Sequence, residues 1–437
     1  MNYTYRKIWF INFPVMMSIL IEQLINITDA IFLGHVGEIE LGASALAGIW
    51  YLAIYMLGFG FSLGLQVVIA RRNGERNYHE TGKTFFQGLF FLSVLAILLC
   101  IISKIFSPIV LGRLIASEEV YAAVIDYLDW RIWGLMFSFP FLALRSFLVG
   151  TTLTKPLNKA ALAAVLVNIP CNWLFIFHFD MGIAGAALGS VLAEATAALH
   201  FFLYTFFYID RGKYQLFRFR SGGFGLIREI LNVSVWSMIL YFLTIGTWFL
   251  FFVAVEHLGE LPLAISNIIR STSTLLFMPV NAFGATACTL VSNAMGARRA
   301  DDVIPIMRRI VKMCYAIVLP LIALLCLAPH WILLIYTNDS SLIAECTHSV
   351  YVMSSFYLIA LPGNILFQSV SGTGDTRTAF LIEMTTIVFY TLAIYWIIVT
   401  LQVDIAFCWT VEYVYWGFKL FLSFLFFKKA NWKVKKI

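Results

Sequence analysis

The sequence predicts an all-α integral membrane protein of twelve transmembrane helices, arranged as two six-helix lobes related by a pseudo-two-fold axis along the membrane normal. Three observations predict it. The 437 residues are 61% hydrophobic and only 12% charged, whereas a soluble chain carries about 25% charged residues; mean hydropathy is +0.86. Twelve apolar stretches are each long enough to cross the hydrocarbon core, which takes about 20 residues. The second half of the chain also repeats the first at one fixed offset.

The twelve stretches fall at roughly 8–33, 45–70, 84–106, 122–149, 157–178, 181–208, 230–255, 264–291, 309–335, 345–370, 378–401 and 404–427. Short turn-like segments separate them, such as NGERN, TKPLN, HFDMG and GTGDT, and none leaves room for a soluble domain. The N-terminus, MNYTYRKIWF, has the basic start of a signal peptide. The apolar run after it is too long and too polar for one, and no small-residue cleavage site follows, so it reads as a retained first span.

That first span is the most unusual. Pro14 to Gly37 reads PVMMSILIEQLINITDAIFLGHVG, with Glu22, Gln23, Asn26 and Asp29 in its middle. Glu22, Asn26 and Asp29 are spaced four and then three residues apart, which puts them on one face of a helix. A carboxylate at bilayer depth costs about 2.5–3.5 kcal/mol on insertion scales, so it faces a polar cavity or a partner and marks a functional site. The competing reading is a polar helix-packing network.

In the second span, Gly60-Phe61-Ser62-Leu63-Gly64 spells the GxSxG of hydrolase nucleophile elbows. That motif needs a strand-to-helix turn; inside an apolar helix, Gly60 and Gly64 form a packing face instead. Gly185 and Gly189 repeat this logic in the sixth span. Pro14, Pro140, Pro170, Pro279, Pro320 and Pro362 fall inside spans, as static kinks or bending points. The seven cysteines show no CxxC pair and the seven histidines no pair at ligand spacing, so neither a disulfide framework nor a metal site is expected.

Loop charge sets the orientation. Basic segments follow spans 2, 4, 6, 8 and 10, including RRNGERNYHETGK and GARRADD, and the tail reads KKANWKVKKI; the opposite loops carry only Lys104 and Arg113. Both termini are therefore expected in the cytoplasm. The net charge of +6 expresses this bias and implies no nucleic-acid partner.

The repeat is explicit. HVGEIELGAS at 35–44 matches HLGELPLAIS at 257–266, Gly74 matches Gly296, and Gly150 matches Gly372, all at one and the same offset. Because the repeat unit holds six spans, an even number, both copies share an orientation, an arrangement typical of secondary transporters. The expected domains are an N-terminal lobe at 1–208, a cytoplasmic linker at 209–229, a C-terminal lobe at 230–427 and a basic tail at 428–437.

The motifs TDAIFLGHVGEIELGASALA, GLQVVIARRNGE, ALRSFLVGTTLTKP, NIPCNWLFIF and MGIAGAALGS, in that order, resemble those of the multidrug and toxic compound extrusion (MATE) transporters. Their superfamily also holds lipid-precursor and polysaccharide flippases. The resemblance implies an antiporter that expels amphiphilic, often cationic drugs or toxins across the bacterial inner membrane by alternating access. It implies no enzymatic activity and no cofactor, with H⁺ placed ahead of Na⁺ as the coupling ion. It also puts the first-lobe cation site at Asp29, Asn168, Asn172 and Ser190; these are hard oxygen groups suited to a proton or Na⁺. The only metal in view is Na⁺ at Asp29. In the second lobe, the family's coupling acids fall on Phe242 and Ala360, so a Na⁺ site of that kind is not expected there. Further cavity candidates are Glu22, Asn26, Glu194, Glu383 and Glu412, with pairing to Arg145, Arg270 or Lys419 as the structural alternative for the carboxylates. Trp50, Tyr51, Tyr241 and Trp248 offer flat surfaces to planar cations, with core packing as the alternative. Other expected partners are membrane lipids, and the chain is expected to work as a monomer. The alternatives kept open are a flippase for a lipid-linked precursor, an exporter of one narrow metabolite, and an uncoupled channel or receptor.

Overall fold

The computed structural model describes residues 3–115, 117–216, 223–334 and 340–434. Parts of the expected linker (217–222), of the end of the expected ninth span and the loop after it (335–339), and of the tail (435–437) lie outside them. Among the described residues the chain is helical, with no strand.

Twelve long helices account for it. They are α1 Tyr5–Val36, α2 Glu38–Gly74, α3 Tyr78–Leu114, α4 Glu118–Gly150, α5 Pro156–His178, α6 Gly182–Tyr208, α7 Gly223–Glu256, α8 Glu260–Gly296, α9 Val303–Leu327, α10 Ser340–Gly372, α11 Thr376–Thr400 and α12 Val411–Lys429. Eleven of them are long and apolar enough to span a bilayer. The exception is α12, whose hydropathy is broken by Glu412, Lys419, Lys428 and Lys429. Rows of large apolar side chains point outward, Ile97, Ile101, Ile105 and Ile109 on α3 among them. Such a surface suits lipid.

The helix ends are defined by local chemistry. Asn77 opens α3 by accepting the Glu80 N–H at 3.3 Å, Ser117 opens α4, Pro156 sits in the first turn of α5, and Asp375 opens α11 by accepting the Thr378 N–H at 3.2 Å. Each side chain satisfies an N–H that the first helical turn leaves unpaired, and proline has none to satisfy.

The repeat is written into the backbone. Left-handed residues occur at Arg76 and Arg298, at Thr152 and Gly374, and at Asp180 and Gln402, each pair separated by the offset that relates Gly74 to Gly296. His35 and His257, related in the same way, each place a ring nitrogen 2.7 Å from the carbonyl four residues back. A wider π-helical turn closes both α5, at Leu174–His178, and α11, at Tyr395–Thr400.

The chain divides into two compact units, Phe13–Tyr241 and Met1–Asn12 with Phe242–Ile437. The division falls inside α1 and inside α7. In the first unit, Gly60 and Gly64 of the GxSxG stretch meet the beginning of α7. A Cβ at Gly60 would lie 2.7 Å from the Ser237 carbonyl, and one at Gly64 would lie 2.5 Å from Ser234 Cα. This is close helix packing and not a nucleophile elbow. Leu33, Ala43, Ala47, Leu111, Leu128 and Ile183 join helices α1, α2, α3, α4 and α6 in one buried cluster. The second unit is fastened by Tyr357 Oη donating to the Ser273 carbonyl at 2.7 Å and by Thr286 donating to Asn12 at 2.9 Å.

Candidate functional site

The striped face of α1 lines a cavity of about 410 Å³ inside the first unit, a size suited to a small-molecule ligand. Glu22, Asn26 and Asp29 all line it, as their spacing requires. Opposite them the wall is small: Ala161 and Ala164 from α5, Ala193 and Ala197 from α6. These alanines provide the volume.

Asp29 is held at one end. Its Oδ1 accepts from Asn172 Nδ2 at 2.5 Å, and its Oδ2 accepts from Ser190 Oγ at 2.6 Å. Asn172 also donates to Asn168 Oδ1 at 3.3 Å, one helical turn away. Both asparagines are fully buried, and Asn168 Nδ2 and Asn172 Oδ1 have no hydrogen-bond partner among the described residues. Two local features set this geometry. Pro170, between the asparagines, lacks an N–H and so frees a carbonyl in α5. Gly189 faces Asn172, and a Cβ there would collide with Asn172 Oδ1. The four residues expected as the cation site are thus in one place.

The other end is built around an ion pair. Arg131 Nη1 donates to Glu194 Oε2 at 2.9 Å and Nη2 donates to Oε1 at 2.6 Å, the fork geometry that only arginine offers. The guanidinium lies 3.7 Å from the Tyr51 ring centroid, and Tyr51 Oη donates to both Glu194 oxygens at 3.2 Å. A tight turn at Ile132–Gly134 follows Arg131, and any side chain at Gly134 would collide with the pair. From Tyr51 an aromatic ladder continues along α2 through Tyr55 and Phe59, with centroids 6.3 Å apart at each step.

A model of the family described as MatE matches residues 14–174 and, a second time, residues 227–396. The chain belongs to the MatE family. This is a family of transporters and not of enzymes. Among similar MatE proteins, the "Probable multidrug resistance protein NorM" of Idiomarina loihiensis is 23% identical over 300 residues, covering 65% of this chain and 62% of its own length. That match therefore spans less than two thirds of the relative. "Multidrug resistance protein MdtK" of Edwardsiella ictaluri is 23% identical over 400 residues, 88% of this chain and 84% of that protein. A solved structure of a multidrug resistance MATE family transporter, in an outward-facing conformation, superimposes with a TM-score of 0.90 at 17% identity. It covers 98% of this chain and 96% of its own. The two share the twelve-helix, two-lobe fold.

Within this MatE chain, the other sequence-selected residues are placed unevenly. Glu194 lines the cavity, but its partner is Arg131 and none of Arg145, Arg270 and Lys419. Glu22 lines the cavity and forms no ion pair within 4.0 Å among the described residues. Glu383 and Glu412 do not line it. They lie in the second unit, Glu383 against Lys419 at 2.7 Å and Glu412 accepting from Tyr390 at 2.8 Å. Of the four aromatics, Tyr51 lines the cavity, whereas Trp50 donates to Ser103 at 2.9 Å. Tyr241 packs edge-on against Phe59, and Trp248 stacks on Phe252. Sequence reasoning missed Arg131, Tyr55 and Tyr127 as lining residues. The available signal was a second arginine in the fourth span beside Arg145.

Proposed function

We propose that this MatE chain is a cation-coupled antiporter that exports amphiphilic, often cationic compounds across a bacterial inner membrane. Asp29 would be its coupling carboxylate, H⁺ its coupling ion ahead of Na⁺, and a single chain with both termini in the cytoplasm its working form. The observation that carries this reading is Asp29 itself, a carboxylate gripped by an amide and a hydroxyl on the wall of a drug-sized cavity. Among the described lining residues, Glu22, Asp29 and Glu194 outnumber Arg131, an acidic bias that suits a cationic guest.

The donors favour a proton. Asn172 presents an N–H to Oδ1 and can only donate from that atom. Ser190 presents a hydroxyl to Oδ2, and a hydroxyl can rotate from donating to accepting. Protonation at Oδ2 is then absorbed by reversing one hydrogen bond while the other stays. A Na⁺ bridging both Asp29 oxygens would need Asn172 to turn its carbonyl oxygen inward, since a cation is held by acceptors.

In the cycle, a proton arriving from outside neutralises Asp29, weakens the hold on a cationic guest and favours its release. Loss of the proton to the cytoplasm restores the negative cavity for the next guest. Coupling arises because proton and guest bind the two access states with different affinities.

The test is ethidium efflux by wild type and Asp29→Asn, with the proton and Na⁺ gradients collapsed separately. The expected result is loss of efflux in the variant and on collapsing the proton gradient. Normal export by a folded Asp29→Asn protein would sink the proposal. Dependence on Na⁺ alone would change the ion and keep the site. No efflux by wild type under any gradient would move the reading to a narrow-substrate exporter or a lipid flippase.

A further inference from the structure

Because both halves follow one backbone plan, positions related by the repeat offset occupy matching places. Glu22, Ala161, Ala193 and Ala197 line the cavity of the first unit. Their counterparts are Thr244, Glu383, Tyr415 and Lys419, and in the second unit these four side chains are joined. Lys419 Nζ lies 2.7 Å from Glu383 Oε2 and donates to Tyr415 Oη at 2.7 Å. Tyr415 in turn donates to Glu383 Oε1 at 2.6 Å, and Thr244 completes the group at 3.4 Å from the same oxygen. The Lys419 ammonium also sits 4.4 Å from the ring centroids of Phe367 and Tyr415 and 5.1 Å from that of Trp416. Glu383 is 0% exposed and Lys419 5%.

This is how a buried monovalent cation is held: a carboxylate and a phenol oxygen on one side, aromatic faces on the other. The cation is a side chain. Being covalently attached, it has a local concentration no free ion approaches. Protonating Glu383 would leave a buried ammonium without its carboxylate, and removing the ammonium would leave a buried carboxylate; both are strongly disfavoured. The remaining titratable groups facing the pair are Glu412 and Tyr390, which bond each other at 2.8 Å. They are the repeat counterparts of Ser190 and Asn168, and the counterpart of Asp29 is Phe251.

We infer that Lys419 is a built-in cation that permanently fills an ion site in the second unit, so that Glu383 exchanges no ion during transport. Its functional meaning rests on the reading of Asp29 as the coupling group; its test does not.

The test is the melting temperature of the purified full-length chain in detergent, with Asp29→Asn in every sample so that the coupling carboxylate is silent and any response of Glu22 or Glu194 is common to all of them. Three proteins are compared: Lys419 intact, Lys419→Met, and Glu383→Gln with Lys419→Met. Glu412 and Tyr390 face Lys419 as well, so the double variant, which also lacks Lys419, is the reference that subtracts their titration. Each is melted in NaCl and in choline chloride, and then between about pH 8.5 and about pH 6, where an uncompensated buried carboxylate takes up a proton. Lys419→Met should gain a rise of about 4 °C or more with Na⁺ or with acid, absent from the other two. Absence of that gain in folded Lys419→Met overturns the inference. Should Lys419→Met not fold, the intact protein decides the matter: it should melt alike in NaCl and choline, and a Na⁺ response that Glu383→Gln removes overturns the inference. Normal efflux by Asp29→Asn would end the coupling proposal and leave this result standing.

Discussion

Replacing Arg131 by methionine removes the positive half of the cavity's ion pair and keeps most of the side-chain volume. Breaking a fully buried pair costs about 3–5 kcal/mol, chiefly because a carboxylate is left behind without its partner. Here the side chains of Arg131 and Glu194 are 13% and 24% exposed toward the cavity, so water reaches both and the cost falls to about 2 kcal/mol. Losing the guanidinium from the Tyr51 ring, 3.7 Å from its centroid, adds about 0.5–1 kcal/mol. A loss of about 2–3 kcal/mol in a unit of this size lowers the melting temperature by roughly 5–10 °C. The assay is a melting curve on purified protein, with Glu194→Gln plus Arg131→Met as the control. The double variant leaves no orphaned charge and should recover at least about half of the loss, as buried pairs replaced together commonly do. If Arg131→Met melts no lower than the double variant, the carboxylate was never in need of its partner and the argument fails.

Two further outcomes follow from the packing. Gly189→Ala pushes a methyl into Asn172 Oδ1, so Asn172 must let go of Asp29; efflux should fall about tenfold or more, in line with the loss of one charge-assisted hydrogen bond, while the amount of folded protein stays near wild type. Gly64→Val drives a branched side chain into Ser234 of α7 and should lower folded yield by the equivalent of about 2 kcal/mol or more. Ser62→Ala, in the same GxSxG stretch, should leave yield and efflux unchanged, as a packing role requires and a nucleophile does not allow.

Much of this molecule was legible because its signals are local. The stripe of Glu22, Asn26 and Asp29 depends only on helical periodicity. The repeat depends only on spacing, and it reappears in the left-handed residues at the helix ends. The gathering of Asp29 with Asn168, Asn172 and Ser190 came from the family resemblance, since nothing in the spacing joins residues of α1, α5 and α6. The pairings of the other charges were not legible. Arg131 and Glu194 are 63 residues apart; Glu194 is the one charge on α6, but Arg131 shares its stretch of α4 with Asp126 and Asp129, so polarity alone does not show which face turns inward. For the same reason Tyr51 and Trp50, adjacent in sequence, had equal claims on the cavity. Pairing Glu383 with Lys419 was anticipated only as one alternative, because a buried carboxylate looks the same in sequence whether it serves an ion pair or a ligand.

The alanine wall beside α1 has a consequence for how the two halves of a repeated chain can be compared. A doubled bundle offers the same backbone positions twice, and different side chains can stand at each. In this chain three alanines, Ala161, Ala193 and Ala197, line a hollow in one unit, while glutamate, tyrosine and lysine at the matching positions of the other bond one another across that level. The matching level of the second unit is thereby a comparison supplied by the chain itself. Whatever the first unit does with its hollow can be judged against the same scaffold bearing large, mutually bonded side chains at those positions.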